Sequence, residues 1–222
     1  MRIFAVIPAY NEEKYIGPVI QNIKKHIDDI VVIDDGSQDS TCQIARGAGA
    51  KVFHHIINLG LGGALATGIK AALQEGADII VTLDADGQHD PQEIPKLLAP
   101  LTAGQCDIVI GSRFLKNQPM PIFRKAGNYF FNFATFFLFG VWSSDSQSGM
   151  RAFNKKAAEN IELFTSGMEV SSEIVKEIRR HNLRVKEVPI RAIYTSYSLS
   201  KGQGLSAGLK TLIKLFILKL TR

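Results

Sequence analysis

Short apolar runs alternate with helical stretches through the first half of this chain, and this alternation limits the fold more than any other sequence feature. Five runs rich in β-branched residues are predicted to be buried strands: Ile3–Ile7, Ile30–Ile33, Lys51–Phe53, Ile79–Leu83 and Ile108–Ile110. Helices are predicted between them near residues 13–26, 39–47, 61–75 and 92–102. The pattern predicts an α/β fold with a mostly parallel sheet and helices on both faces.

Composition further limits the class of protein that this chain can be. With 222 residues, 45% of them hydrophobic, the chain has enough apolar side chains for a globular core, which excludes a disordered protein. Cys42 and Cys106 are too few for a disulfide framework and are expected to be buried free thiols in a reducing compartment. The N-terminal residues have no signal-peptide cleavage pattern and are expected to form the first strand.

Basic residues concentrate near the C-terminus. Residues 176–222 carry eleven basic and two acidic side chains, although the whole chain has a net charge of only +5. This excess predicts an anionic partner: nucleic acid, a phosphate-bearing ligand or acidic lipid. Nucleic acid is disfavoured, because the lysines near the C-terminus alternate with aliphatic residues and lack aromatic platforms for stacking bases.

Acidic side chains follow three of the predicted strands. Glu12 comes after the first strand, Asp34 and Asp35 after the second, and Asp84 and Asp86 after the fourth. The carboxyl ends of parallel strands share one edge of the sheet, where ligands bind. Carboxylates at one edge repel each other unless a divalent cation or hydrogen-bond donors lie between them.

The Asp84-x-Asp86 turn is the strongest candidate for such a cation site. Its carboxylates, with an oxygen of Gln88, are hard ligands of the kind that Mg²⁺ and Mn²⁺ prefer. A calcium-binding EF-hand is excluded because Pro95 stands where its last glutamate ligand is required. The alternative is a turn of purely structural role that caps the helix beginning at Pro91.

Four motifs together resemble the family 2 glycosyltransferases, and among them the dolichyl- or polyprenyl-phosphate mannose synthase branch. They are Ile7-Pro-Ala-Tyr-Asn-Glu12, Val32-Ile-Asp-Asp-Gly-Ser37, Asp84-Ala-Asp86 with Gln88-His89, and Gly111-Ser-Arg113. The resemblance extends from residue 3 to about residue 201. It implies a GT-A fold with a Rossmann-like sheet, a nucleotide-diphospho-sugar donor and inversion at the anomeric carbon.

The resemblance also implies roles for individual residues. The donor-binding set is Pro8, Tyr10, Glu12, Ile33, Asp35, Asp84, Ala85, Asp86, Arg113 and Lys201. The catalytic set is Asp84, Asp86, Arg113, Arg124 and Asp145, and the metal ligands are Asp84, Asp86 and Gln88. Asp145 begins an acceptor-side motif that ends at Phe153, and close helix–strand packing is expected of the glycines in Asn58–Gly63.

Two segments predict contact with a membrane. Six of the thirteen phenylalanines lie between Phe130 and Phe139, in a helix expected over residues 121–142 that is too short to cross a bilayer. It is either an interfacial helix or a core helix, with a narrow polar stripe of Lys125, Asn128, Asn132 and Thr135. A basic amphipathic helix, residues 205–222 with Lys210, Lys214 and Lys219, is expected to follow a catalytic domain of residues 1–204 and to contact lipid or another subunit.

Together with these two segments, the resemblance implies an inverting glycosyltransferase at the cytoplasmic membrane surface. It would use Mg²⁺ or Mn²⁺ to move a hexose, mannose or glucose, from a GDP- or UDP-sugar to a polyprenyl phosphate. One alternative acceptor is a sugar hydroxyl, which requires a general base; Asp145 and Glu169 are the candidates. A noncatalytic nucleotide-sugar-binding subunit is a further alternative, and a homo-oligomer or a membrane-protein partner is compatible with each.

Overall fold

The computed structural model describes residues 1–116, 120–194 and 205–220, the first five of the last range by backbone alone. The strands are β1 Ile3–Ala9, β2 Asp29–Asp34, β3 Lys51–His54, β4 Ile79–Thr82, β5 Ile108–Ser112, β6 Arg151–Asn154 and β7 Val185–Pro189. The helices are α1 Ile16–Ile23, α2 Thr41–Gly47, α3 Gly60–Gln74, α4 Ile94–Thr102, α5 Ile122–Phe139, α6 Lys155–Asn160, α7 Val170–Arg180 and α8 Leu205–Leu220. A 3₁₀ turn, Pro91–Glu93, precedes α4.

The seven strands form one sheet in the order β3-β2-β1-β4-β6-β5-β7. Every pairing is parallel except those of β6, which runs antiparallel to both β4 and β5. The predicted mostly parallel α/β fold is confirmed, and all five predicted strands and four predicted helices are present, with ends shifted by at most a few residues. Strands β6 and β7 and helices α6 and α7 were not predicted.

The sheet is buried on both faces because successive strand residues point to opposite sides. In β1, Ala5 and Ile7 pack in one apolar cluster, while Phe4 and Val6 pack in another. Helices α1, α2 and α4 cover the first face, and α3, α6 and α7 cover the second. This double burial explains why the central strands are continuous apolar runs in the sequence.

The two cysteines are free, as predicted, but they differ in burial. Cys106 lies in the core, whereas Cys42, in the first turn of α2, is only half-buried. The prediction that both are buried is therefore wrong for Cys42, because α2 is a surface helix whose buried residues are Thr41 and Ala45.

One buried carboxylate joins the three strands at the β7 side of the sheet. Asp107 accepts hydrogen bonds from the Arg184 backbone N–H at 2.9 Å and from Arg184 Nε and Nη2 at 3.1 and 3.0 Å. It also accepts one from Asn154 Nδ2 at 3.1 Å. The Arg184 guanidinium lowers the pKa of Asp107 well below its usual range. Asp107 thus links the start of β5, the end of β6 and the start of β7 through hydrogen bonds.

Replacing Asp107 by asparagine is expected to lower the free energy of unfolding at pH 7 by about 2–3 kcal/mol, because the charge-assisted hydrogen bonds are weakened. The contribution of Asp107 is present above the carboxyl pKa of the unfolded chain, about 3.9, and is lost as pH falls through the lower folded pKa. Urea unfolding should therefore show a difference between wild type and variant that narrows below about pH 4.

The exposed Asp29, which pairs with Arg2 at 3.2 Å, supplies the control. Asp29→Asn removes the same charge and should cost less than about 1 kcal/mol. An equal cost for both variants, or a difference that does not change with pH, would contradict the role assigned to Asp107.

Helices α5 and α8 pack together at the edge of the domain. Leu138 and Phe139 of α5 form an apolar cluster with Leu215 and Leu218 of α8. Over the residues that the structure describes, no helix combines the length and apolarity needed to cross a membrane.

Candidate active site

The turn after β4 is held in shape by its own side chains. The Gln88 backbone N–H donates to Asp86 Oδ1 at 3.0 Å, and the Asp84 backbone N–H donates to His89 Nδ1 at 3.0 Å. Gly87 has a φ of +76°, which glycine adopts without strain. Asp86 thus shapes the turn through a hydrogen bond from its own backbone segment, but the alternative prediction that this turn caps the next helix is wrong, because Asp90 and not Asp84 or Asp86 caps the following 3₁₀ turn.

Asp84 lies against the loop that follows Asp145, with its carboxylate 39% exposed. A Cβ atom on Gly149 would lie 2.5 Å from Asp84 Oδ1, so only glycine leaves room for the carboxylate in this position. On the other side, His89 Nε2 is 3.5 Å from Asp84 Oδ2. The carboxylate is therefore fixed from two sides while it faces solvent at the sheet edge.

Two arginines and two carboxylates form a charged network behind this turn. Arg113 binds Asp145 through Nε and Nη2, each at 2.7 Å, and Asp145 is fully buried. Burial alone would lower the pKa of Arg113, but the Asp145 carboxylate outweighs it and raises that pKa. Because both nitrogens already bind Asp145, a bidentate phosphate contact through them requires this pair to open.

Arg151 in β6 is the largest fully buried side chain of the network. Burial lowers its pKa to about 10, and the carboxylates of Asp84 and Asp145 oppose that shift, so Arg151 remains charged at pH 7. Its Nη2 donates to the Ser146 carbonyl at 3.0 Å. Arg151 thus places a fixed positive charge close to the Asp84 carboxylate.

The N-terminus of α5 reaches the same turn. Arg124 Nη1 donates to Gln88 Oε1 at 3.2 Å, and Gln88 Nε2 donates to Asp86 Oδ2. The Arg124 guanidinium also lies over the Tyr194 ring, 5.9 Å from its centre. A line of polar contacts thus runs from Asp86 to Arg124 and then to Tyr194.

Tyr194 belongs to a segment that lies along the turn. The Ile193 backbone N–H donates to the Gln88 carbonyl at 2.8 Å, and His89 forms a bridge with Ala192. The Tyr194 hydroxyl is buried, and no hydrogen-bond partner exists for it in residues 1–116, 120–194 or 205–220. Burial raises the pKa of Tyr194, and the charges of Arg113 and Arg124 oppose that shift.

Asp35 lies at the end of β2 and holds the start of α3. Its Oδ1 accepts from the Leu59 backbone N–H at 2.9 Å, and its Oδ2 accepts from the Gly60 N–H at 2.7 Å. His55 Nδ1 is 2.7 Å from Oδ1. The role predicted for Asp35 in nucleobase binding stays a prediction.

The glycines of Asn58–Gly63 do pack closely, but not as predicted. The Gly62 N–H donates to the Ser166 carbonyl at 3.1 Å, and Gly60 also lies against the Ser166 backbone. The start of α3 therefore packs on the loop before α7 instead of on a strand. A shallow cleft beside this loop is bordered by Leu61, Asp84, Arg151 and Met168.

The other residues of the predicted donor-binding set differ in their exposure to solvent. Tyr10 is exposed beyond the end of β1, whereas Glu12 is buried. The side chains of Ile33 and Ala85 are buried in the core. Lys201 lies outside the described residues.

The Asp84–Asp86 turn has the right chemistry for Mg²⁺ or Mn²⁺. Asp84, Asp86 and the Gln88 amide offer oxygen ligands at an exposed edge, and hard divalent cations prefer oxygen. Gln88 Oε1 would have to leave Arg124 to serve as a ligand. Among the described residues, the one group of three His, Cys, Asp or Glu side chains within ligand distance is elsewhere, at Asp34, Cys42 and His54.

Comparison with known proteins shows which family this chain belongs to. The model of the family described as "Glycosyl transferase family 2" matches residues 4–162. This chain belongs to that family. The glycosyltransferase is 40% identical to the UDP-N-acetylglucosamine–dolichyl-phosphate N-acetylglucosaminyltransferase of Methanococcus voltae, over 98% of this chain and 96% of the relative. It is 29% identical to the polyprenol monophosphomannose synthase of Mycolicibacterium smegmatis, over 91% of this chain and 82% of that protein.

A solved structure confirms the GT-A type of fold for this glycosyltransferase. Glucosyl-3-phosphoglycerate synthase from Mycobacterium tuberculosis, crystallised with Mn²⁺ and UDP, matches with a TM-score of 0.75. The match covers 98% of this chain and 79% of that chain at 22% sequence identity. At this identity the likeness concerns the fold.

Proposed function

We propose that this glycosyltransferase moves a sugar, with inversion, from a nucleotide-diphospho-sugar to a polyprenyl phosphate at a membrane surface. One observation carries the proposal: the Asp84–Asp86 turn, suited to a cation and a diphosphate, is joined through Gln88 to Arg124 at the start of an aromatic helix. An anion-binding arginine is thus beside both the donor turn and a surface suited to lipid. The names of the relatives from Methanococcus and Mycolicibacterium support a polyprenyl-phosphate acceptor.

Asp84, Asp86 and Gln88 would hold Mg²⁺ or Mn²⁺. When bound, such an ion neutralises charge that develops on the leaving diphosphate. The chain itself contributes the fixed charge of Arg151 beneath Asp84 and the Gly149 surface that positions the carboxylate. Mn²⁺ in the crystals of the structural neighbour supports the choice of cation.

The acceptor is proposed to be a phosphate because the two predicted bases are occupied. Asp145 is buried in its pair with Arg113, and Glu169 is buried and accepts from the Gly167 N–H and from Lys214 Nζ at 3.1 and 2.9 Å. A sugar hydroxyl needs a base to remove its proton, whereas a phosphate monoester is mostly dianionic at neutral pH. A phosphate acceptor therefore requires no base, but it does require cationic and hydroxyl groups that hold the phosphate in position.

The outer side of α5 supports membrane contact. Two residues of the predicted polar stripe face the protein: Asn132 Nδ2 donates to the Ser144 carbonyl at 2.6 Å, and the Thr135 hydroxyl is 2.7 Å from that of Ser172. Most aromatic residues of α5 face outward instead, with Phe133 63% and Phe137 77% exposed, although Phe139 is buried against α8. Asn132 and Thr135 therefore serve packing, whereas Lys125 of the stripe is exposed, and the aromatic face is the one suited to lipid.

The positive charge of α5 and α8 favours binding to an anionic membrane surface. The sequences of α5 and α8 contain no acidic residue, while Arg124, Lys125, Lys210 and Lys219 contribute positive charge. Residues 205–222 are proposed as the basic helix that adds to this surface, and residues 1–204 as the catalytic domain. The enzyme is accordingly proposed to act from the cytoplasmic side, as a peripheral membrane protein.

Replacing Phe133 and Phe137 together by serine is expected to weaken binding to anionic liposomes at least about tenfold, because two large apolar side chains leave the interface. Co-sedimentation with vesicles containing phosphatidylglycerol measures the loss, and donor hydrolysis should be unchanged. Phe164→Ser is the matched control, since Phe164 is 59% exposed but lies in the loop before α7. Equal binding by the double variant and wild type would assign the aromatic face to a protein contact.

Arg124→Ala and Tyr194→Phe are expected to raise KM for the polyprenyl phosphate, by about a hundredfold and tenfold, with a small change in KM for the donor. Tyr194→Phe removes only the hydroxyl, which is buried without a partner among the described residues and would donate to a phosphate oxygen. Steady-state kinetics with each substrate varied separates the two effects. Arg179→Ala, at an exposed position on α7, is the control; a rise confined to the donor KM would contradict the assignment.

The donor is tested with a panel of GDP- and UDP-linked sugars and a short polyprenyl phosphate. Because the named relatives transfer different sugars, the panel includes mannose, glucose and N-acetylglucosamine. Transfer of label into the lipid phase from one donor class, dependent on Mg²⁺ or Mn²⁺, is the expected result. Binding of a donor without transfer or hydrolysis would favour the noncatalytic alternative.

A further inference from the structure

A second group of metal-binding side chains lies away from the Asp84–Asp86 turn. Asp34 and His54 are the last residues of β2 and β3 and stand opposite each other in the parallel register. Cys42 is in the first turn of α2. One carboxylate oxygen, one imidazole nitrogen and the sulfur atom all lie within 4.8 Å of one another.

Close contacts already bring these three side chains toward one point. Asp34 is fully buried, and its Oδ1 accepts from the Ser37 backbone N–H at 3.1 Å. Its Oδ2 lies 2.9 Å from His54 Nδ1, and the Cys42 sulfur lies within 4.8 Å of ligand atoms of both residues. An imidazole and a thiol therefore converge on a single buried carboxylate.

We propose that Asp34, Cys42 and His54 form a binding site for a thiophilic divalent cation such as Zn²⁺. Thiolate sulfur, imidazole nitrogen and carboxylate oxygen are its usual ligands, and in tetrahedral geometry they lie about 3.3–3.6 Å apart. The three atoms already lie within 4.8 Å of one another, so small movements of the side chains bring them to that spacing. On binding, the Cys42 thiol releases its proton to solvent, and His54 remains neutral by carrying its proton on Nε2.

The site differs in chemistry from the proposed catalytic one. Asp84, Asp86 and Gln88 offer oxygen alone, which suits Mg²⁺ and Mn²⁺, whereas a thiolate selects softer cations. The His54 side chain is 42% exposed, so the fourth position of a tetrahedral ion is open to water. We therefore expect the Asp84–Asp86 turn to bind Mg²⁺ or Mn²⁺ and the Asp34, Cys42 and His54 site to bind a softer cation such as Zn²⁺.

The position of the site gives it a structural consequence. Asp35 and His55 directly follow Asp34 and His54, and these two neighbours bind each other and the start of α3. A cation bound by Asp34 and His54 would tie together the ends of β2 and β3 next to the residue predicted to contact the nucleobase. We therefore expect Zn²⁺ to raise the melting temperature.

Co²⁺ absorption tests the proposal without relying on activity. Full-length protein stripped with EDTA and titrated with Co²⁺ should develop a thiolate-to-cobalt charge-transfer band at one ion per chain, which Zn²⁺ removes. An all-oxygen site at Asp84 and Asp86 cannot produce this band, so failure here is distinct from failure of the proposed function. Cys42→Ser should lose the band, and the matched control Cys106→Ser, in the core, should keep it.

His54→Gln adds a variant at an exposed position that folding tolerates. It should keep the band but weaken Co²⁺ affinity at least about tenfold. The rise in melting temperature on adding Zn²⁺ should be smaller in Cys42→Ser than in Cys106→Ser. Absence of the band in wild type at excess Co²⁺, its persistence in Cys42→Ser, its loss in Cys106→Ser or unchanged affinity in His54→Gln would each overturn the proposal.

Discussion

Asp86→Asn is expected to lower kcat about a thousandfold or more at any practical Mn²⁺ concentration. The change keeps the shape of the side chain but removes one of the two carboxylate charges at the half-buried turn after β4. Loss of a charged cation ligand, and with it of the charge neutralisation on the leaving diphosphate, removes about 4 kcal/mol of transition-state stabilisation. Treatment of wild type with EDTA should abolish activity to the same extent, reversibly.

The control for Asp86 is four residues away. Asp90 caps the 3₁₀ turn by accepting from the Gln92 N–H at 3.0 Å, and asparagine is an equally good cap. Asp90→Asn therefore changes net charge identically and should leave kcat within about twofold of wild type. Electron paramagnetic resonance of free Mn²⁺ should show weaker binding to the Asp86 variant alone. An Asp86→Asn enzyme that keeps a tenth of wild-type kcat would refute the assignment of the catalytic metal site.

Gly149→Ala is expected to lower kcat about a hundredfold while the melting temperature changes little. The added Cβ would lie 2.5 Å from Asp84 Oδ1, so the carboxylate must move away from its position at the sheet edge. Displacement of a catalytic group by about an ångström costs roughly a hundredfold in rate. The side chain that moves is exposed and short, and the core around it is untouched.

Gly127→Ala is the matched control, because a Cβ at that position in α5 meets no atom within 4 Å. It should leave kcat unchanged and, since alanine favours helix over glycine, should not destabilise the protein. Circular dichroism and thermal melting establish that both variants are folded. Full activity in Gly149→Ala would show that the position of Asp84 is not critical, whereas loss of folding would assign Gly149 to the framework.

The sequence predicted the parts of the fold that arise from local patterns. Apolar runs such as Ile79–Leu83 are continuous because these strands are buried on both faces. Such a run can be recognised in the sequence without knowing which strands lie beside it. Strand β6 gave no such signal, because Arg151–Asn154 is four residues long with polar ends and runs antiparallel between two parallel strands. Its fully buried arginine is the opposite of what strand patterns lead one to expect.

In the candidate site, too, local sequence patterns predicted some residues, whereas contacts between residues distant in sequence were not predicted. Residues that directly follow strands, such as Asp84 and Asp86, were predicted because the topology brings them to one edge. The partners of Arg113 and Tyr194 were not, because Asp145 is 32 residues from Arg113 and Arg124 is 70 from Tyr194. The inward direction of Asn132 and Thr135 on α5 could not be predicted either, since a polar stripe shows which residues share a face of the helix but not what that face contacts.

The central claim is that the acceptor is a phosphate carried by a polyprenyl chain, and a direct competition tests it. The enzyme, with the donor identified by the panel, is offered a short polyprenyl phosphate and the polyprenol of the same chain length, and transfer to each is followed in one reaction. The buried, ion-paired state of Asp145 and Glu169 predicts transfer to the phosphate only, and it predicts that Glu169→Gln retains most of that activity. Transfer to the alcohol at a comparable rate, or loss of all activity in Glu169→Gln, would contradict the claim and favour a hydroxyl acceptor.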